Sequence, residues 1–134
     1  MNGPAAVLDA SALLALMRDE PGADRVAAVL ERRALIGAIN WAEVLSRFVQ
    51  TGGDPIEAAA RALPFADVGL IELVPFDDEQ ARESARLWTR THSLGLSLAD
   101  RSALALARLR RLPVLTADRA WRSLHLSIRI EVIR

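Results

Sequence analysis

The chain has 134 residues, enough for one domain over residues 1–134 that buries roughly 68% of its unfolded surface. With 51% hydrophobic residues it is too apolar to be a disordered chain, and its lack of cysteine excludes disulfide scaffolds, thiolate zinc sites and cysteine nucleophiles. Seventeen acidic and 17 basic residues cancel to zero formal charge, which argues against a polybasic nucleic-acid glove; every basic residue is Arg, so lysine-dependent P-loops and Schiff bases are excluded.

Ala5 to Leu8 is a short apolar run ending at Asp9 and reads as a buried strand. Helices follow over Ser11 to Arg18 and Ala23 to Arg33, separated by the Glu20-Pro21-Gly22 turn. Ala34 to Ile39 reads as a second strand. Asn40 stops it and opens a helix with Trp41, Val44, Leu45, Phe48 and Val49 at helical spacing. Gly52-Gly53 closes that helix, Asp54-Pro55 opens the next, and Pro64 should kink or end it.

Ile71 to Val74 is a third strand, and Asp77, Asp78 and Glu79 load the start of a helix running to about Thr91. His92 to Leu96 reads as a loop, Leu98 to Arg111 as a helix, Pro113 to Thr116 as a fourth strand and Ala120 to Leu124 as a short helix. The tail from Ile128 to Val132 alternates with period two, which places it at a sheet edge with one wet face. Strands alternating with helices give a three-layer α/β domain with a mainly parallel sheet of about five strands. No uncharged apolar run approaches the ~18 residues of a spanning helix. The apolar start lacks a basic leader and is interrupted by Asp9, so the expectation is a cytoplasmic protein with no membrane contact.

Four acids stand out: Asp9 directly after the first strand, Glu43 in the first turn after the second, Asp100 in the first turn of its helix, and Asp118 two residues past the fourth strand. In an open parallel sheet, strand C-termini and the following helix N-termini share one edge, and ligands bind there. Each acid also has a purely structural reading. Asn40-Trp41-Ala42-Glu43 and Ser97-Leu98-Ala99-Asp100 have the form of capping boxes, and Asp9 and Asp118 could be N-caps worth about 1 kcal/mol each. A close cluster of four would cost on the order of 10 kcal/mol in mutual repulsion, against ~0.3–1 kcal/mol returned by each helix terminus. It therefore needs a divalent cation, a retained proton or a partner's cation. Oxygen donors alone suit Mg²⁺ or Mn²⁺; His92 and His125 are too few for a multi-histidine site and read as loop and surface residues.

Val7-Leu8-Asp9-Ala10-Ser11-Ala12, Asn40-Trp41-Ala42-Glu43-Val44, Leu98-Ala99-Asp100-Arg101-Ser102-Ala103 and Leu115-Thr116-Ala117-Asp118-Arg119-Ala120-Trp121 together resemble the motif blocks of PIN domains. Their order and spacing are most similar to VapC-type toxins of bacterial toxin–antitoxin pairs. The resemblance implies a PIN-like α/β/α sandwich and a Mg²⁺- or Mn²⁺-dependent endoribonuclease. It implies Asp9, Asp100 and Asp118 as metal ligands, with Glu43 acting through water. It also implies a VapB-like antitoxin partner and a homodimer. Thr116 matches a hydroxyl residue that precedes the last acid, and Trp121 an aromatic used in packing. Arg101, Arg119 and Arg122 lie beside the acids and are candidates, with Thr116, for contacting a single-stranded or structured RNA. A receiver domain would need a lysine, and a haloacid-dehalogenase-type phosphatase would need an acid where Ser11 stands. The remaining alternative is a non-catalytic interaction module whose acids are helix caps.

Overall fold

The computed structural model describes residues 3–134, apart from the side chains of residues 63, 64, 66 and 67. Strands β1 (Ala6–Leu8), β2 (Ala34–Gly37), β3 (Ile71–Val74), β4 (Val114–Thr116) and β5 (Ile130–Val132) form one sheet. Its order is β3-β2-β1-β4-β5, and every pairing is parallel. Helices α1 (Ala10–Met17), α2 (Ala23–Leu30), α3 (Ala38–Gln50), α4 (Pro55–Asp67), α5 (Asp78–Thr91) and α6 (Leu98–Arg110) connect the strands, with 3₁₀ turns at His92–Leu94 and Arg119–Ser123.

The central strands read as continuous apolar runs because both faces of the sheet are covered. Ala6 and Leu8 of β1 and Ala34 and Ile36 of β2 point into one core with Leu13, Val26, Val44 and Phe48. Val7 and Leu35, one residue out of phase, point into the other core with Leu87, Leu104, Leu106 and Trp121. The alternation of strand side chains thus builds a three-layer sandwich with α1–α4 on one side and α5–α6 on the other. β5 sits at the sheet edge, as its alternating pattern requires, and none of its three residues is fully buried. No helix among the described residues is long and apolar enough to cross a membrane.

Three sequence expectations need correction. The run expected to be strand to Ile39 ends at Gly37, and α3 begins at Ala38 with Gly37 as its N-cap. An apolar run cannot by itself distinguish a buried strand from the buried first turn of the next helix. Asn40 is consequently not a cap and Glu43 is not its capping-box partner; Glu43 lies in the second turn of α3 rather than the first. At position 64 α4 does not end but runs to Asp67; packing of Ala58 and Ala62, both buried, outweighs one missing amide donor. The short helix near Ala120 is a 3₁₀ turn.

Strand order fixes the place of the site. From β1 the chain moves to β2 and β3 on one side, while β4 and β5 lie on the other. The sheet's switch point therefore falls between β1 and β4, where the crevice of an open α/β sheet opens. Leu8 pairs with Leu115 across it, and Asp9 N–H continues the ladder to the Leu115 carbonyl at 3.1 Å.

Candidate active site

Asp9 leaves β1 at this switch point with extended backbone and caps α1. Its Oδ1 accepts from the Ala12 N–H at 2.9 Å and from the Ser11 hydroxyl at 2.7 Å. Its Oδ2 accepts from the Thr116 hydroxyl at 2.5 Å. Thr116 Oγ1 in turn accepts the Asp118 N–H at 3.1 Å, and Ser11 Oγ accepts the Ala117 N–H at 2.8 Å. Two hydroxyls thus stitch the ends of β1 and β4 together around one carboxylate. Ser11 had no assigned role in the sequence reading; its only signal is a hydroxyl two residues beyond Asp9.

Asp9 is only 4% exposed. Burial is the largest influence on its carboxyl and raises its pKa from 3.8 to about 6; the three donated hydrogen bonds act against that rise and the charge of Asp100 adds to it. Asp100 is held by the capping box at the start of α6: its Oδ2 accepts the Ser97 N–H at 3.0 Å, and Ser97 Oγ accepts the Asp100 N–H at 3.1 Å. Glu43 is partly buried, and burial followed by the charge of Asp100 raises its pKa, with Arg47 opposing. The charge of Asp100 thus acts on both Asp9 and Glu43.

Asn40, expected as a helix cap, and Ser102, which carried no expectation, instead support the site. Asn40 is 2% exposed and its Nδ2 donates to the Ala99 carbonyl at 2.9 Å, while Ser102 Oγ donates to the same carbonyl at 2.7 Å. This clamp ties α3, which carries Glu43, to the α6 turn that carries Asp100.

Asp118 is held in a different way. Its side chain is exposed and caps the 3₁₀ turn through the Ala120 N–H at 3.0 Å, and its link to Asp9 runs through Thr116. Thr116 is fully buried, so its hydroxyl supports Asp9 rather than meeting a substrate. Arg101 Nη1 donates to the Ser84 carbonyl of α5 at 3.1 Å, and its Nε is buried without a partner. Arg119 Nε donates to the Arg134 carbonyl at 3.2 Å, and Arg122 is exposed on the same 3₁₀ turn. Trp121 is packed into the core.

Among the described residues no ion pair reaches any of the four acids. Among these residues no three acidic or histidine side chains form a ready-made cation cage either. A hard cation that keeps several waters needs only one or two carboxylates. Asp9, buried and without a counter-charge, and Asp100, near enough to perturb it, fit such an ion.

The PIN domain family model matches residues 6–125 of the chain. No curated protein sequence matches it. Among solved structures, the chain is similar to a member of the VapBC family of toxin–antitoxin systems, VapBC-5 from Mycobacterium tuberculosis. That likeness has 28% identity and a TM-score of 0.61, covering 98% of this chain and 99% of that one. DNA-bound VapBC from Salmonella typhimurium aligns with a TM-score of 0.72 at 18% identity, covering 96% of this chain and 98% of that one. VapC20 from Mycobacterium tuberculosis, a toxin that cleaves the sarcin–ricin loop, aligns with a TM-score of 0.70 at 14% identity, covering 93% of this chain and 99% of that one. The family match runs from β1 through the 3₁₀ turn after β4 and takes in all four acids, and the chain belongs to the PIN domain family.

Proposed function

We propose that the chain is a Mg²⁺- or Mn²⁺-dependent endoribonuclease, the toxin of a VapBC-type pair held in check by a VapB-like antitoxin. The observation that carries this reading is Asp9: a buried carboxylate at the sheet's switch point, beside Asp100, with no ion-pair partner. Asp9 and Asp100 would hold the cation, with Asp118 as a further ligand. The ion would supply Lewis acidity and a more acidic water.

Within this reading, Ser11, Thr116 and the Ala12 N–H fix the direction of the Asp9 oxygens, and the capping box fixes Asp100. Glu43, whose pKa is raised, takes the proton of the attacking water. The water oxygen bonds to phosphorus, the bond to the 3′ oxygen breaks, and that oxygen is protonated from solvent. The products are a 5′-phosphate and a 3′-hydroxyl. Arg119 and Arg122, exposed beside Asp118, receive the flanking phosphates of the RNA.

Three of the four acids do cap helical turns, as an interaction module would have them. Capping alone does not account for Asp9. A cap carboxylate at a helix N-terminus is stabilised in its charged form, whereas burial here drives Asp9 the other way. The exposed apolar side chains of Val49 on α3 and Ile56 on α4 support a homodimer, for which light scattering of the isolated protein should return the dimer mass. The deciding experiment is cleavage of a total RNA preparation with and without Mg²⁺ or Mn²⁺, using wild type, Asp9→Asn and Asp100→Asn. Metal-dependent cleavage lost in both variants is expected; undiminished cleavage by folded Asp100→Asn would overturn the assignment.

A further inference from the structure

Residues 84–99 join the second half of α5 to the first turn of α6, and they include Arg86, Arg90 and His92 but no acid. In this stretch Trp88 is 52% exposed. Its ring stacks on His92, with centroids 4.0 Å apart and planes 10° from parallel. His92 Nδ1 lies 2.9 Å from the Trp88 carbonyl. A carbonyl only accepts, so Nδ1 is the donor in this contact. The helix itself therefore pins the imidazole against the indole.

One contact links this part of α5 to the turn that carries Asp100. Arg101, next to Asp100, donates to the Ser84 carbonyl, one turn of α5 before Trp88. Gly95, with φ +72, turns the chain back, and the exposed Leu98 lies two residues before Asp100. Glu83, just before the stretch, is already engaged by Arg86 and Arg108. Arg90 rests on the His125 carbonyl at 3.4 Å and keeps its charge unpaired by any acid among the described residues.

Resting on the ribonuclease reading, we propose that the Trp88–His92 stack is a platform for an unpaired base of the RNA substrate, beside the Asp9–Asp100 site. A flat, preassembled aromatic surface in an acid-free, basic stretch matches a nucleobase flanked by phosphates. Because the rings are already stacked, little side-chain freedom is lost on binding.

The test uses a short unstructured oligoribonucleotide and Asp9→Asn protein, so that binding is read without cleavage. Trp88→Ala in that background should weaken binding about 5- to 150-fold, equivalent to ~1–3 kcal/mol per stacked base. Trp88→Phe should retain most of the affinity. The RNA should quench tryptophan emission in the Asp9→Asn protein but not in the Trp88→Phe form, where Trp41 and Trp121 remain. The same RNA as a duplex should quench far less. Unchanged binding and cleavage in Trp88→Ala would overturn the platform and leave the nuclease reading intact. A halved particle mass in Trp88→Ala would overturn it in favour of a self-association surface. Failure of the wild type to bind or cleave any RNA would overturn both.

Discussion

Thr116 and Asp9, 107 residues apart in sequence, share a buried hydrogen bond of 2.5 Å. The bond exists because β1 and β4 are neighbours in register, so the residue ending β4 lies opposite the residue leaving β1. It makes the site carboxylate a property of the sheet rather than of one loop.

Thr116→Val keeps the shape and removes the hydroxyl. Asp9 then loses a donor that favours its charged form, and the Asp118 N–H loses its acceptor. The variant should be destabilised by about 1–3 kcal/mol at pH 8. The penalty should shrink well below pH 3.8, where Asp9 is protonated in both states. Denaturant unfolding at the two pH values checks this; an equal penalty at both would show that the hydroxyl does not act on the carboxylate.

Asp9 sets a pH dependence of its own. Its pKa is raised in the folded protein, so folding favours the protonated form. That stability is fully present below about 3.8 and is lost as pH rises through about 6. The separation is equivalent to ~3 kcal/mol. Glu43, also raised, contributes in the same direction. In chelator-containing buffer, Asp9→Asn should flatten the profile over this window and melt higher than wild type at pH 8. Parallel profiles for the two proteins would refute the uncompensated-charge account.

Divalent cations should reverse that loss. Mn²⁺ or Mg²⁺ at a hundredfold excess over its dissociation constant adds ~2.7 kcal/mol to the native state. The rise in melting temperature should be present at pH 8, small at pH 5 where protons compete for Asp9, and largely absent in Asp9→Asn and Asp100→Asn. Equal increments in wild type and variants would mean that the ion acts nonspecifically.

Asn40→Ala tests the clamp between α3 and α6. It frees the Ala99 carbonyl from one of its two side-chain donors. Stability should fall by about 1–2 kcal/mol. RNA cleavage should fall at least tenfold through kcat, because Glu43 and Asp100 lose their shared anchor while the outer arginines keep theirs. A rise in KM with kcat unchanged would instead place Asn40 in substrate binding.

Layer order, the parallel sheet and the edge position of the last strand were all legible in the chain, since they follow from local periodicity: continuous apolar runs where both faces are buried, alternation where one is wet. The four acids were visible as residues because each follows a strand or opens a helix. The start of α3 was not legible, because Ala38 and Ile39 are equally at home in a buried strand and in a buried first helical turn. Nor were the distant partners: Thr116 reaches Asp9, Ala117 reaches Ser11, and Asn40 reaches Ala99, through contacts spanning 59 to 107 residues. Sequence alone determined which oxygen donors exist and at which end of which element. The tertiary structure decided their environments, burying Asp9, raising the pKa of Asp9 and Glu43 and leaving Asp118 exposed, because desolvation and Coulomb coupling depend on distances that no local pattern encodes.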